Sequence, residues 1–213
     1  MREKNYVTWA FLAIQLLVFL LMEIQGGSTS SLVLLQFGAR SNLLIDMGQY
    51  WRLITPIFIH IGFSHLLVNS LTLYYLGSLA EGVLGHWRFA LFYLLAGLMG
   101  NALSYQFNPG AISAGASTSL FGLFALFIAL KRIFPNHSGF QYLGSQYQAL
   151  LLVNLLMNIF MGGVDIWGHL GGALGGFLAS YYMLGRTDAL SKWQRLISFV
   201  LYWAILVIIL VIN

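Results

Sequence analysis

Apolar positions along this chain gather into seven long stretches, separated by short polar punctuation. They fall near residues 6–23, 60–82, 88–105, 115–132, 148–163, 168–185 and 195–212. Each approaches the length of roughly 20 residues that a helix needs to cross a bilayer. The pattern predicts an all-α, polytopic transmembrane helical bundle forming a single membrane-embedded domain over residues 1–213. Its core covers about 6–185, and a further C-terminal span covers about 195–212. The first run is long for the apolar core of a cleavable signal, so it reads as a span. Residues 24–59 form a long first loop with a Gly/Ser-rich start, an apolar stretch at 32–37, and Tyr50-Trp51-Arg52. Trp and Tyr favour the membrane interface, so this loop is expected to lie partly in the outer leaflet. Residues 138–148 read as a polar inner loop.

Composition sharpens this picture. Of 213 residues, 59% are hydrophobic and 8% charged, against roughly 25% charged in a soluble domain. The chain has no cysteine, which excludes disulfides and thiolate metal sites. The formal net charge of +4 lies in loops and sets orientation, so no nucleic-acid partner is expected. With the N-terminus cytoplasmic, the inner side carries Arg2, Lys4, Arg88, Lys131, Arg132, Arg186, Lys192 and Arg195, leaving Arg40 and Arg52 outside. Eight of the ten basic residues are then inside, as the positive-inside rule requires. Asn213 falls outside. The expectation is a multi-pass protein of the plasma membrane.

Orientation gives depth, and depth brings polar groups together. Ser117 lies fourteen residues before Lys131, about 21 Å along a helix. His169 lies seventeen residues before Arg186, about 26 Å by the same rise. Both sit toward the outer side. So do His65 and Asn69, four apart on one face of span two. Such groups are costly in lipid and are expected to face one another across a water-filled cavity open to the outside. Ser117 can act as a covalent nucleophile once activated. His169 can take its proton and later protonate a leaving amine. His65, Asn69 and the Ser117 amide can donate to a developing oxyanion. Gly168, Gly172 and Gly176 recur every four residues, a face that lets helices approach closely. Phe121, one turn from Ser117, is placed to pack on the His169 ring.

Other readings stand beside this one. A serine in a membrane helix also serves packing or bonds its own backbone, and a lone histidine often bonds between helices. His60 and His65 near an interface could be solvated, as could His86 and His137 in inner loops. No carboxylate stands beside His60, His65 and His169, so neither a metal nor another cofactor is expected. Asp165, four residues before His169, is either a helix N-cap or the acid of a triad. The cap preference favours a Ser–His dyad. The segment Met161-Gly162-Gly163-Val164-Asp165 is equally a hinged lid or a tight turn. Trp51, Trp87 and Trp193 fit interfacial belts.

These residues resemble the rhomboid family of intramembrane serine proteases. The likeness runs from about Trp51 to Tyr182. It rests on Gly115-Ala116-Ser117, on His65 with Asn69, on His169 followed by Gly172 and Gly176, and on Trp51-Arg52. The resemblance implies Ser117 as nucleophile, His169 as base, and His65, Asn69 and the Ser117 amide as oxyanion hole. It implies a six-helix core with a seventh span, in a minimal member without a soluble N-terminal domain. It also implies single-span transmembrane substrates cut in or beside the lipid bilayer, reached laterally past span five. One departure is Thr118, where the family commonly has glycine; a β-branched residue there is expected to narrow the approach to the nucleophile. A rhomboid-like pseudoprotease that binds helices without cutting is the alternative. It would be expected to lack the serine or histidine. A transporter would want ionisable groups on several spans, and the spans carry few. Oligomeric state is not encoded in any of these features.

Overall fold

The computed structural model describes residues 5–160 and 162–212. Arg2 and Lys4 of the charge count, Met161 of the lid reading and Asn213 of the orientation reading lie outside them. Among the described residues the regular structure is helical, with one isolated bridge between Arg40 and Ser113. Helix α1 covers Tyr6–Ile24. The first loop is more ordered than its sequence suggested: it holds α2 (Ser31–Phe37), α3 (Asn42–Asp46) and two 3₁₀ turns, Tyr50–Leu53 and Thr55–Phe58. Then come α4 (Phe63–Thr72), a π-helical segment (Leu73–Gly77) and α5 (Ser78–Leu84), running on as one rod. Helices α6 (His86–Phe107), α7 (Ser117–Ile133), α8 (Ser138–Phe160), α9 (Ile166–Met183) and α10 (Lys192–Val211) complete the order.

Helix α7 is the axis of the bundle. Nearly every residue of it is buried, from Thr118 to Ile133, and it packs on α6, α8 and α9. A helix apolar on all sides can only sit inside other helices. The glycines of α9 divide between two partners. A Cβ at Gly172 or Gly176 would run into the backbone of Thr118 or Gly122 on α7, and one at Gly171 or Gly175 into Leu103 or Met99 on α6. Backbone therefore lies directly on backbone, the close approach that the glycine spacing predicts. On α6, Gly100 makes the same accommodation for Thr118 and for the Gly168 carbonyl.

Three expectations are corrected. Residues 138–148 are not a loop: α8 begins at Ser138, because Phe140, Leu143 and Tyr147 fall at helical spacing and pack on the core. Span two does not begin at His60: α4 starts at Phe63, after Gly62 turns the chain at φ +75°. Arg40 is not a free loop charge. It is fully buried, donating to the Ser113 hydroxyl, the Asn42 amide oxygen and the carbonyls of Asn108 and Ala111. Burial pushes its guanidinium below the usual arginine range, with Asp165 opposing. Three of its four acceptors tie the first loop to residues 108–113, the segment that leads into α7.

One buried acid is accounted for by a helix end. Glu81, buried on α5, accepts from the backbone of Val7 and Thr8 and from the Thr8 hydroxyl. It thus caps α1, whose own N-cap, Asn5, makes no side-chain bond. Glu81 also bonds His86, so that ring is not simply solvated. Helices α1, α8 and α10 present apolar side chains outward, among them Leu17, Leu20, Leu152, Leu156, Val207 and Ile208. By length and composition α1 and α10 are apolar enough to cross a membrane.

Candidate active site

Ser117 is the first residue of α7. Its amide belongs to the first turn, whose N–H groups have no acceptor within the helix. The segment before it is held from two sides. The Gly115 amide donates to the Pro56 carbonyl at 2.9 Å, and the Ala116 amide donates to His60 Nε2 at 3.3 Å. His60 is therefore a fully buried brace, not the solvated histidine of one sequence reading. Accepting through Nε2, a neutral His60 carries its proton on Nδ1.

His169 lies one turn into α9. Its Nε2 is 2.9 Å from Ser117 Oγ, a hydrogen-bond distance spanning two helices. Phe121 stacks on the ring with centroids 4.1 Å apart and an interplanar angle of 8°, which fixes the plane of the imidazole. Asp165 does not touch the ring through its side chain. It caps α9 by accepting from the Gly168 amide at 3.2 Å, and it accepts from the Ser104 hydroxyl and from Asn108 Nδ2. The group on the far ring nitrogen is instead Asn158 of α8, 2.6 Å from Nδ1. The sequence reading missed it. Its only signal was an amide in an apolar stretch, with Asn154 one turn away on the same face.

His65 and Asn69 line the same cavity as Ser117 and His169. His65 Nδ1 accepts from the Ile61 amide at 3.4 Å. This leaves the proton of a neutral ring on Nε2, which faces Gly115. A Cβ at Gly115 would sit 2.8 Å from His65 Nε2 and 3.6 Å from Ser117 Oγ, and φ there is +142°. Any side chain at 115 would thus occupy the space between the two groups. Asn69 is buried and uses one N–H to bond the His65 carbonyl at 3.0 Å, leaving its second N–H for the cavity. Thr118 turns its side chain between α6 and α9, with its methyl near Gly168 and its Cβ against Gly100. It also lines the cavity beside Ser117.

The cavity has a volume of about 760 Å³. Ser113 and Ala114 from the α6–α7 connection and Gly163 and Val164 from the α8–α9 connection stand at its margin. A serine hydroxyl, an imidazole within hydrogen-bond reach of it and a second histidine therefore line one cavity, an arrangement suited to acyl transfer.

A family profile described as Rhomboid domain matches residues 47–186. The chain belongs to the rhomboid family. Rhomboid family proteins are integral membrane proteins, which accounts for the outward apolar faces. Among similar proteins, Rhomboid protease GluP of Bacillus subtilis (strain 168) is 41% identical over 207 residues, covering 96% of this chain and 40% of that protein. RHOMBOID-like protein 1 of Arabidopsis thaliana is 36% identical over 164 residues, covering 74% of this chain and 41% of that protein. Rhomboid-like protease 3 of Toxoplasma gondii is 31% identical over 163 residues, covering 71% and 58%. The chain thus spans two-fifths of the length of the first two of these relatives. Neither the family match nor the relatives' names lend support to the non-cleaving alternative.

Proposed function

We propose that this rhomboid chain is an intramembrane serine endopeptidase working through a Ser117–His169 dyad. The observation that carries this reading is the 2.9 Å contact between Ser117 Oγ and His169 Nε2 in a cavity shared with His65. In the first step Ser117 Oγ attacks the scissile carbonyl carbon while Nε2 takes the hydroxyl proton. The carbonyl oxygen becomes an oxyanion, met by His65 Nε2–H, the free N–H of Asn69 and the Ser117 amide. Collapse expels the amine, protonated by His169, and leaves an acyl-enzyme. Water then repeats the sequence with His169 again as base, releasing the acid. No cofactor is needed.

The substrates proposed are single-span transmembrane segments. A peptide bond within a helix is sheltered by its neighbouring turns, so the segment must unwind locally, and helix-weakening residues near the cut favour this. In this reading the whole chain is one membrane domain with a six-helix core and α10 as a seventh span. The N-terminus is cytoplasmic and the cavity opens toward the outside of the plasma membrane. The α8–α9 connection is the lateral gate, with Gly163, at φ +83°, as a hinge. The test is cleavage of a panel of single-span substrates by protein reconstituted in liposomes. Ser117→Ala and His169→Ala should each abolish product while leaving insertion and thermal unfolding unchanged. Full activity of purified Ser117→Ala would remove the assignment.

A further inference from the structure

Asn158 lies outside the serine, the base and the oxyanion donors, yet its carboxamide, drawn with Nδ2 toward the ring, is 2.6 Å from the far nitrogen of the base. It comes from α8, a helix whose outer half lies loosely on the bundle. Leu152, Val153, Leu156, Met157, Ile159 and Phe160 around it are exposed, and among the described residues of α8 only Gly144, near its other end, is buried. An amide beside Nδ1 has two chemically different settings, interchanged by rotating the carboxamide half a turn. With Nδ2 toward the ring, Nδ1 accepts, the ring proton sits on Nε2, and the imidazole donates to Ser117. That tautomer cannot take the hydroxyl proton. With Oδ1 toward the ring, Nδ1–H donates, and the Nε2 lone pair is free to accept from Ser117.

We propose that Asn158 is a positioning residue that selects the base-competent tautomer of His169, accepting Nδ1–H through Oδ1, and so ties the state of the base to the seating of α8. The inference rests on the dyad reading above. The proton balance is complete: Ser117 gives its proton to Nε2, the imidazolium then donates from both nitrogens, and Asn158 Oδ1 continues to accept from Nδ1. The same proton leaves from Nε2 to the departing amine. The oxygens of Asp165, the nearest acid along the chain, are taken up by Ser104, Asn108 and the Gly168 amide. A displaced α8 would take Asn158 away from Nδ1, so α8 must be seated when the proton moves.

The test uses the full chain in lipid nanodiscs. Ring-nitrogen shifts of ¹⁵N-histidine-labelled protein, assigned with His169→Gln, report the tautomer without any need for activity. Wild type should show His169 protonated at Nδ1. Asn158→Leu, which keeps bulk and loses the acceptor, should show a mixture. Its kcat should fall about three- to tenfold, the worth of one hydrogen bond, with KM changed less than twofold. Asn158→Asp, which keeps an acceptor at the same atom, should retain the Nδ1–H tautomer and most of kcat. An unchanged tautomer in Asn158→Leu, or equal losses in the Leu and Asp variants, would overturn the proposal. If wild type shows the expected tautomer but neither cleaves nor reacts at Ser117, it is the protease reading that fails.

Discussion

The most demanding consequence of the backbone contact between α7 and α9 concerns Gly172. A Cβ at this position would lie 2.8 Å from the carbonyl carbon of Thr118 and closer still to its oxygen. Ordinary contacts between carbon atoms are about 3.5–4.0 Å. Gly172→Ala therefore forces the two helices apart by about 1 Å, since backbone cannot rotate away as a side chain can. Thr118 adjoins Ser117, and Gly172 is three residues from His169, so the displacement falls directly on the 2.9 Å dyad contact. Overpacking of this kind costs about 1–3 kcal/mol of stability. A misplacement of about 1 Å can cost on the order of 10²-fold in rate. We expect Gly172→Ala to fold with a lowered melting temperature and to lose about 10²-fold in kcat, measured on a fluorogenic transmembrane substrate in liposomes. Gly82→Ala is the control: nothing lies within 4 Å of its added Cβ, and alanine should stabilise an exposed helix by about 0.5–1 kcal/mol. If Gly172→Ala keeps kcat within twofold of wild type, the argument that glycine contact sets the dyad distance is wrong.

Gly115→Ala should fold less stably because φ is +142° there, and it should lose nearly all turnover because its Cβ fills the space between His65 and Ser117; kinetics on the purified variant check this. His65→Ala should lower kcat on the order of 10²–10³-fold with little change in KM, as expected for a donor to charge that develops only in the transition state; a pure KM effect would reassign the residue to substrate holding. Asp165→Asn should reduce activity only severalfold, because its carboxylate caps α9 and bonds Ser104 and Asn108 and does not bond the imidazole. A loss as deep as that of His169→Ala in the same assay would speak for a catalytic acid.

Much of the helical layout is visible in the chain because long apolar runs and glycine faces are periodic, and period is what sequence displays. Counting residues inward from basic loops puts Ser117 and His169 at similar depth, and the structure brings their polar atoms to 2.9 Å. The stacking of Phe121 follows from one turn of helix. What stayed hidden depends on contacts between segments far apart. Glu81 caps a helix more than seventy residues before it, and Arg40 finds all but one of its four acceptors near residues 108–113. His60 reads as an interfacial histidine until the turn at Gly62 folds it under Ala116. Asn158 shares a face with Asn154, but two amides among leucines read the same whether that face meets lipid or a base. The α8 extension was missed for a different reason: polar residues on its exposed face outnumber the apolar ones that anchor it.

The central claim is that Ser117 is a nucleophile activated by His169. Its most direct test is intact-mass and peptide-mapping spectrometry of the full chain in lipid after reaction with a fluorophosphonate. The account predicts one adduct per chain, on Ser117, with labelling sharply slowed in His169→Ala and unaffected in Gly82→Ala. An unmodified Ser117 in folded wild-type protein, or an adduct formed at the same rate without His169, would contradict it.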